Sequence, residues 1–187
     1  TIPEGFRREQ IAARLGKPDF VMKTATLEGK LFPDTYLLPT YITTDGIVKM
    51  MTDNFKRKVG EIDNDTLILA SLVERESRAP DERPIIAGIL RKRLDQDWPL
   101  QVDATIQYAK GDWKPIFDTK YPSMYNTYLH RGLPPTPICN PGLSAIKAAQ
   151  NPQESPYWFY LHDAKGGVHF AKTIEEHNLN VDKYLKP

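Results

Sequence analysis

Residues 64–78 read NDTLILASLVERESR. Leu67 to Val73 is apolar nearly all the way round a helix, so the segment is expected to form a central, buried helix over residues 66–78. Asn64 and Asp65 offer side-chain oxygens as N-caps. Pro80 stops the run. Burying this one helix on every side requires the rest of the chain to wrap around it. Its neighbours must therefore come from the segments on either side.

Upstream, Asp45 begins a helix to about Lys58, with Ile47, Met50, Met51 and Phe55 on one face. Before it, residues 27–36 (LEGKLFPDTY) interleave aromatics with Gly and Pro, which predicts an irregular packed segment. At the start, Phe6, Ile11, Ala12 and Leu15 share a face, and Gly16 follows as a stop. Downstream, Asp81-Glu82 start a further helix through Ile85, Ile86, Ile89, Leu90 and Leu94. Arg91 and Arg93 near its end suit the helix dipole. A short helix is expected near Ala104–Tyr108 and another over 142–150. Residues 157–161 and 168–171 flank Gly166-Gly167 as a hairpin. A closing helix over 173–185 has Thr173 as cap and Glu176 at the capping-box position. The fold class is α+β: mainly helical, with one small antiparallel sheet or hairpin beside a central buried helix.

Composition narrows the function classes. Twenty-five basic and 24 acidic side chains leave a net charge of +1 over 187 residues. No basic stripe marks a nucleic-acid footprint. One cysteine, Cys139, excludes a disulfide and a multi-cysteine zinc site. The four histidines lack HExxH spacing, so neither a metal nor another cofactor is expected. No apolar run reaches the ~18–20 residues of a membrane helix. The chain opens on Thr1 in mid-motif, so it is expected to be an excised piece whose anchor or signal would lie upstream.

Two clusters carry chemistry. In Val73-Glu74-Arg75-Glu76-Ser77 the glutamates lie about 200° apart around a helix. Glu74 has Arg78 four residues on, an ordinary helix ion pair. Glu76 has no basic partner along its helix and shares a face with Leu69, Leu72 and Val73. Packed against that apolar surface, its carboxyl is raised toward neutral pH and suits glycosidic cleavage. Pointing into water beyond a frayed helix end, it does nothing of the kind. The second cluster is Tyr125-Asn126-Thr127-Tyr128, Gly132-Leu133-Pro134-Pro135 and Asn140-Pro141-Gly142. Rigid prolines, tyrosine faces and amide or hydroxyl donors suit a sugar groove, and they equally suit a self-satisfied structural loop. Hydrolytic glycosidases place two acids across the bond. Glu28, Asp81, Glu82 and Asp103 are the candidates, and none forms an evident pair with Glu76. A lytic enzyme needs only one acid, because the sugar's own C6 hydroxyl attacks the anomeric carbon.

The ordered series IPEG (2–5), LEGKLFPDTY (27–36), LASLVERES (69–77), ERPIIAGILRKRL (82–94), LQVDATIQYA (100–109), YNTYLHRGLPPTPICNPG (125–142), SAIKAAQNP (144–152) and HFAKTIEEHN (169–178) resembles the YceG-like (MltG) family of endolytic murein transglycosylases over nearly the whole chain. The resemblance implies a lyase that cuts the MurNAc-β-1,4-GlcNAc bond within nascent strands and leaves a 1,6-anhydroMurNAc end. It implies Glu76 as acid and then base on a lysozyme-like active-site helix. Substrate contacts are expected from Gln101, Asp103, Tyr125, Asn126, Thr127, Tyr128, Pro134 and Asn140. Residues 1–40 resemble the remnant of a LysM-like module and its connection, and 41–187 the catalytic domain. The implied partners are peptidoglycan glycan strands and peptidoglycan synthases (penicillin-binding proteins), with no nucleic acid. The implied location is the bacterial inner membrane, single-pass, with the catalytic part outside. The chain departs from the family at Val102, where Thr is common, at Thr136, where Gly is common, and at Val168, where a His is common. His169, displaced by one place from that position, is given no site role. The alternatives are a non-catalytic peptidoglycan-binding scaffold and a muramidase that uses water.

Overall fold

The computed structural model describes residues 1–186. Eight helices and two strands follow in order: α1 (Arg8–Leu15), α2 (Phe20–Lys23), α3 (Thr44–Val59), α4 (Asn64–Glu76), α5 (Arg83–Asp95), α6 (Asp103–Lys110), α7 (Leu143–Gln150), β1 (Phe159–His162), β2 (Val168–Ala171) and α8 (Ile174–Tyr184). The α+β class is as the sequence predicts.

Helix α4 is the axis of the molecule. Asp63, one residue before the expected caps, accepts the Thr66 N–H at 2.8 Å. Every residue from Thr66 to Val73 is buried. An all-apolar helix has no solvent face to present, so α5, α6 and α7 close around it. The main core joins Leu67, Leu69, Leu72 and Val73 to Ile86 and Leu90 of α5, Leu100 and Val102 of the following loop, and Ile146 of α7. Full burial of such side chains contributes about 1.5–3 kcal/mol each. The helix ends at Glu76, two residues earlier than the periodicity suggests. Ser77 is extended (ψ 143°), and its hydroxyl donates back to the Val73 carbonyl at 2.6 Å.

A second core gathers Ile2, Ile11, Ala12, Phe20 and Leu31 against Ile47 and Met51 of α3. Helix α3 serves both cores, since Phe55 belongs to the first. The 27–36 stretch is irregular and packed, with Leu31 and Phe32 buried. Its Leu31 N–H is satisfied by the Asn140 side-chain oxygen at 2.9 Å. The four-residue α2 has no apolar periodicity and was not expected.

Strands β1 and β2 pair antiparallel, with Tyr160 opposite Phe170 and Leu161 opposite His169. Thr173 caps α8 by accepting the Glu176 N–H at 3.2 Å. The reciprocal bond of the expected capping box is displaced by one residue: Glu176 accepts from the Lys172 N–H, at 2.7 Å. Among the described residues no helix is long and apolar enough to cross a membrane.

Candidate active site

The two glutamates at the end of α4 meet different surroundings. Glu74 is not paired with Arg78, whose guanidinium reaches the Asp163 carbonyl instead. Its carboxylate accepts from Arg83 Nη2 at 3.1 Å and from the Gly142 N–H at 2.9 Å. Arg83 also donates to Ser77 Oγ at 3.1 Å and lies 3.7 Å from Glu4. A Cβ at Gly142 would displace the Glu4 carboxylate, the end of a flexible side chain that is half exposed. Glu74 thus ties α4, α5 and the start of α7 together. Burial raises its pKa, opposed by the Gly142 N–H and then by Arg83.

Glu76 has no cation within ion-pair distance among the described residues. Its Oε2 accepts from the Tyr160 hydroxyl of β1 at 2.7 Å. Burial raises its carboxyl to about 7, against the Tyr160 hydrogen bond; Asp103 adds a raising effect, while Arg93 and Arg75 lower it. Its place at the C-terminal end of α4 disfavours negative charge further. The turn beyond is clamped by Glu82, which accepts from the Arg78 and Ala79 N–H groups and contacts His162 Nε2 at 3.1 Å. Helix end, turn and hairpin are therefore held as one piece.

Glu76 opens into a cleft of about 280 Å³, lined also by Arg93, Gln101, Asp103, Tyr128, Phe159, Tyr160 and His177. The lining is mostly polar. A groove along α5 has a larger volume, about 400 Å³, and its carboxylates, Asp95 and Glu154, are exposed.

Of the residues singled out from the sequence, Gln101, Asp103 and Tyr128 line this cleft with Glu76. Tyr128 donates to Asp103 Oδ1 at 2.7 Å. Gln101 has φ +53°, the left-handed region that a side chain seldom occupies. It is held there on both sides: Arg93 Nη1 donates to the Leu100 carbonyl at 2.7 Å, and the Gln101 N–H donates to the Thr127 carbonyl.

The other five do not line the cleft. Asn126 is fully buried and donates to the Thr119 and Tyr121 carbonyls. The Thr127 hydroxyl accepts from the Val102 N–H at 3.0 Å and lies 3.2 Å from that of Thr105. Asn140 is buried and bridges Leu31, Phe6 and Glu28. Pro134 is buried. Tyr125 packs against Tyr108 with the rings tilted at 49°, bonds Thr136 at 2.8 Å and borders a separate pocket containing Glu28. For these five the structural-loop alternative describes the contacts.

Sequence reasoning passed over Arg93, Phe159, Tyr160 and His177. Arg93, expected only to complement the helix dipole, is 7% exposed and donates to the Leu100 and Trp158 carbonyls. His177 stacks on Phe159 with ring centroids 5.3 Å apart. The strand period could have paired Tyr160 with the cleft face, had the partner surface been known. Asp103, expected among the substrate contacts, brings a second carboxylate into the cleft of Glu76, although no pairing of the two acids was evident from their spacing.

The model of the YceG-like family matches residues 1–183. The chain belongs to the YceG-like family. Among its YceG-like relatives, an endolytic murein transglycosylase of Bacillus subtilis is 37% identical over 175 residues, covering 85% of this chain and 48% of that protein. One of Streptococcus pneumoniae is 32% identical over 178 residues, covering 85% of this chain and 32% of that protein. The chain thus spans half or less of the length of these relatives. The crystal structure of a YceG-like protein from Listeria monocytogenes superposes with a TM-score of 0.83 at 31% identity, over 95% of this chain and 74% of that one. The YceG-like fold is therefore shared with a solved relative across both cores.

Proposed function

We propose that this YceG-like chain is the catalytic part of an endolytic peptidoglycan lytic transglycosylase, with Glu76 as its one acid and base. The observation that carries the reading is the state of Glu76: a carboxyl raised to about 7 at a helix end, open to a polar cleft and lacking a cationic partner. In the first step protonated Glu76 gives its proton to the leaving O4 of GlcNAc as the C1–O4 bond of MurNAc breaks. In the second step the C6 hydroxyl oxygen bonds C1, and its proton returns to Glu76. The products are a free 4-hydroxyl and a 1,6-anhydroMurNAc end, with no water consumed. Helix α4 takes the part of a lysozyme-like active-site helix. Gln101, Asp103 and Tyr128 contact the sugar.

The names of the relatives support murein as substrate, and with it a site of action on the outer side of the bacterial cytoplasmic membrane. A single-pass anchor and partnership with penicillin-binding synthases are part of the same reading. We assign residues 1–40, which supply most of the second core, to the remnant of a LysM-like module and its connecting segment, and 41–187 to the catalytic domain.

Asp103 keeps one rival in play. A second carboxylate in the cleft is what a water-using muramidase needs. Against that role, Asp103 is already engaged by Tyr128. Mass spectrometry of digested strands decides between them. Lytic cleavage leaves ends lighter by one water than the reducing ends of hydrolysis. Glu76→Gln is expected to abolish turnover on purified sacculi with the fold retained, since the amide cannot donate the proton. The expected loss is on the order of 10⁴-fold or more, and a rate within threefold of the parent would end the assignment.

A further inference from the structure

The two oxygens of Glu76 are not equivalent. Oε2 accepts the Tyr160 hydroxyl at 2.7 Å, whereas no donor among the described residues reaches Oε1. Tyr160 is itself held on β1, which pairs with β2 through the Tyr160–Phe170 register. The Arg93 guanidinium grips the Trp158 carbonyl just ahead of the strand. The hydroxyl thus approaches from a rigid element on the far wall of the cleft, not from the helix that carries the acid.

We propose that Tyr160 is a positioning residue that pins Oε2 and leaves Oε1 as the single atom through which the proton moves. This rests on the assignment of Glu76 as the acid. A carboxyl free to rotate would present either oxygen, with the proton on the wrong one for part of the time. A donor fixed on Oε2 removes that freedom. It favours Oε1 as the seat of the proton in the neutral acid, because a proton on Oε2 would require the Tyr160 hydroxyl to turn from donor to acceptor. It also stabilises the carboxylate that remains after proton transfer, when Oε1 must accept the C6 hydroxyl proton.

The other charged or titratable groups that face Glu76 are Arg75 on its own helix, Arg93 of α5, Asp103 of α6, Tyr128 of the loop and His177 of α8. None hydrogen-bonds its carboxylate. Among the described residues Tyr160 is the one group whose loss removes a direct bond to that carboxylate.

The test is Tyr160→Phe, which deletes one oxygen and keeps the ring. On glycan strands kcat is expected to fall on the order of tenfold with KM within twofold of the parent. The basic limb of the pH–rate profile should move up by about one unit, a tenfold change in the ionisation of the acid. A merely structural role would lower the rate equally at every pH and leave the limb in place. A second readout needs no activity: a ¹³C NMR titration of glutamate carboxyls, with the Glu76 signal assigned by its loss in Glu76→Gln. Its midpoint is expected to rise in Tyr160→Phe. An unmoved midpoint and limb would overturn the proposal, as would a change in KM alone, which would make Tyr160 a sugar contact. An active Glu76→Gln would overturn the assignment of the acid instead, so the two failures are separable.

Discussion

Glu74 and Glu76 carry the same functional group two residues apart, and their partners give them different work. Glu74 meets a guanidinium and a backbone N–H and becomes a structural tie. Glu76 meets one neutral hydroxyl and stays close to its proton. Glu74→Gln is therefore expected to destabilise the fold by about 1–3 kcal/mol, because Arg83 loses its buried charge partner. At this chain length that is a fall in melting temperature of several degrees. The folded fraction should keep its kcat. Thermal melts alongside turnover at a temperature well below the transition check this, and a stable but inactive variant would mean that Glu74 is the acid. The sequence made the glutamates distinguishable by helix angle alone. It misassigned the partner of Glu74 because Arg83 and Gly142 reach it through space, from α5 and from the cap of α7.

At the scale of elements, the 125–142 loop and the 27–36 segment are joined by a buried polar knot. Glu28 accepts from Asn140 Nδ2 at 2.8 Å, from the Arg8 N–H at 3.2 Å and from the Tyr108 hydroxyl at 3.4 Å. Asn140→Ala would strand the Leu31 N–H and leave Glu28 short of a donor, so a loss of about 2–4 kcal/mol is expected. KM should be unchanged, since Asn140 does not line the cleft. A raised KM with an unchanged melting temperature would restore the sugar-contact reading. Burial, the largest cause, lifts Glu28 from an ordinary value near 4.5 to about 7. A folded pKa above the unfolded one means the folded state holds more protons between those values. The stability this carboxyl contributes is thus full below about 4.5 and is lost as pH rises to about 7. Glu28→Gln is expected to flatten that part of the stability–pH curve, measured by denaturant unfolding across the window. An unchanged slope would show that Glu28 does not titrate there.

The helices were legible from the sequence because apolar spacing fixes them locally: α3, α4, α5 and α8 fall within two residues of their expected starts. The hairpin was legible from two aromatic runs around Gly166-Gly167. What escaped was pairing across the chain. Asn126, Thr127 and Asn140 have the residue types of a sugar groove, but their polar groups are spent on backbone groups, in the same loop for Asn126 and in distant segments for Thr127 and Asn140. Arg93 and Tyr160 looked ordinary because burial and the opposite wall of the cleft are properties of the assembled fold.

For the whole molecule, α4 brings its C-terminal carboxyl to a cleft whose other walls come from α5, α6, β1, α8 and the loop of Tyr128. In the proposed reaction that carboxyl is protonated when the strand arrives. Its pKa is raised, so activity should be full below about 7 and fall as pH rises through that value, because the first step consumes the proton. The decisive measurement is the pH dependence of single-turnover cleavage of glycan strands, with thermal melts at each pH to exclude unfolding. A basic limb centred near 7, absent along with all turnover in Glu76→Gln, is the expected result. A basic limb near the ordinary glutamate value of about 4.3, or cleavage that rises with pH past 7, would contradict it.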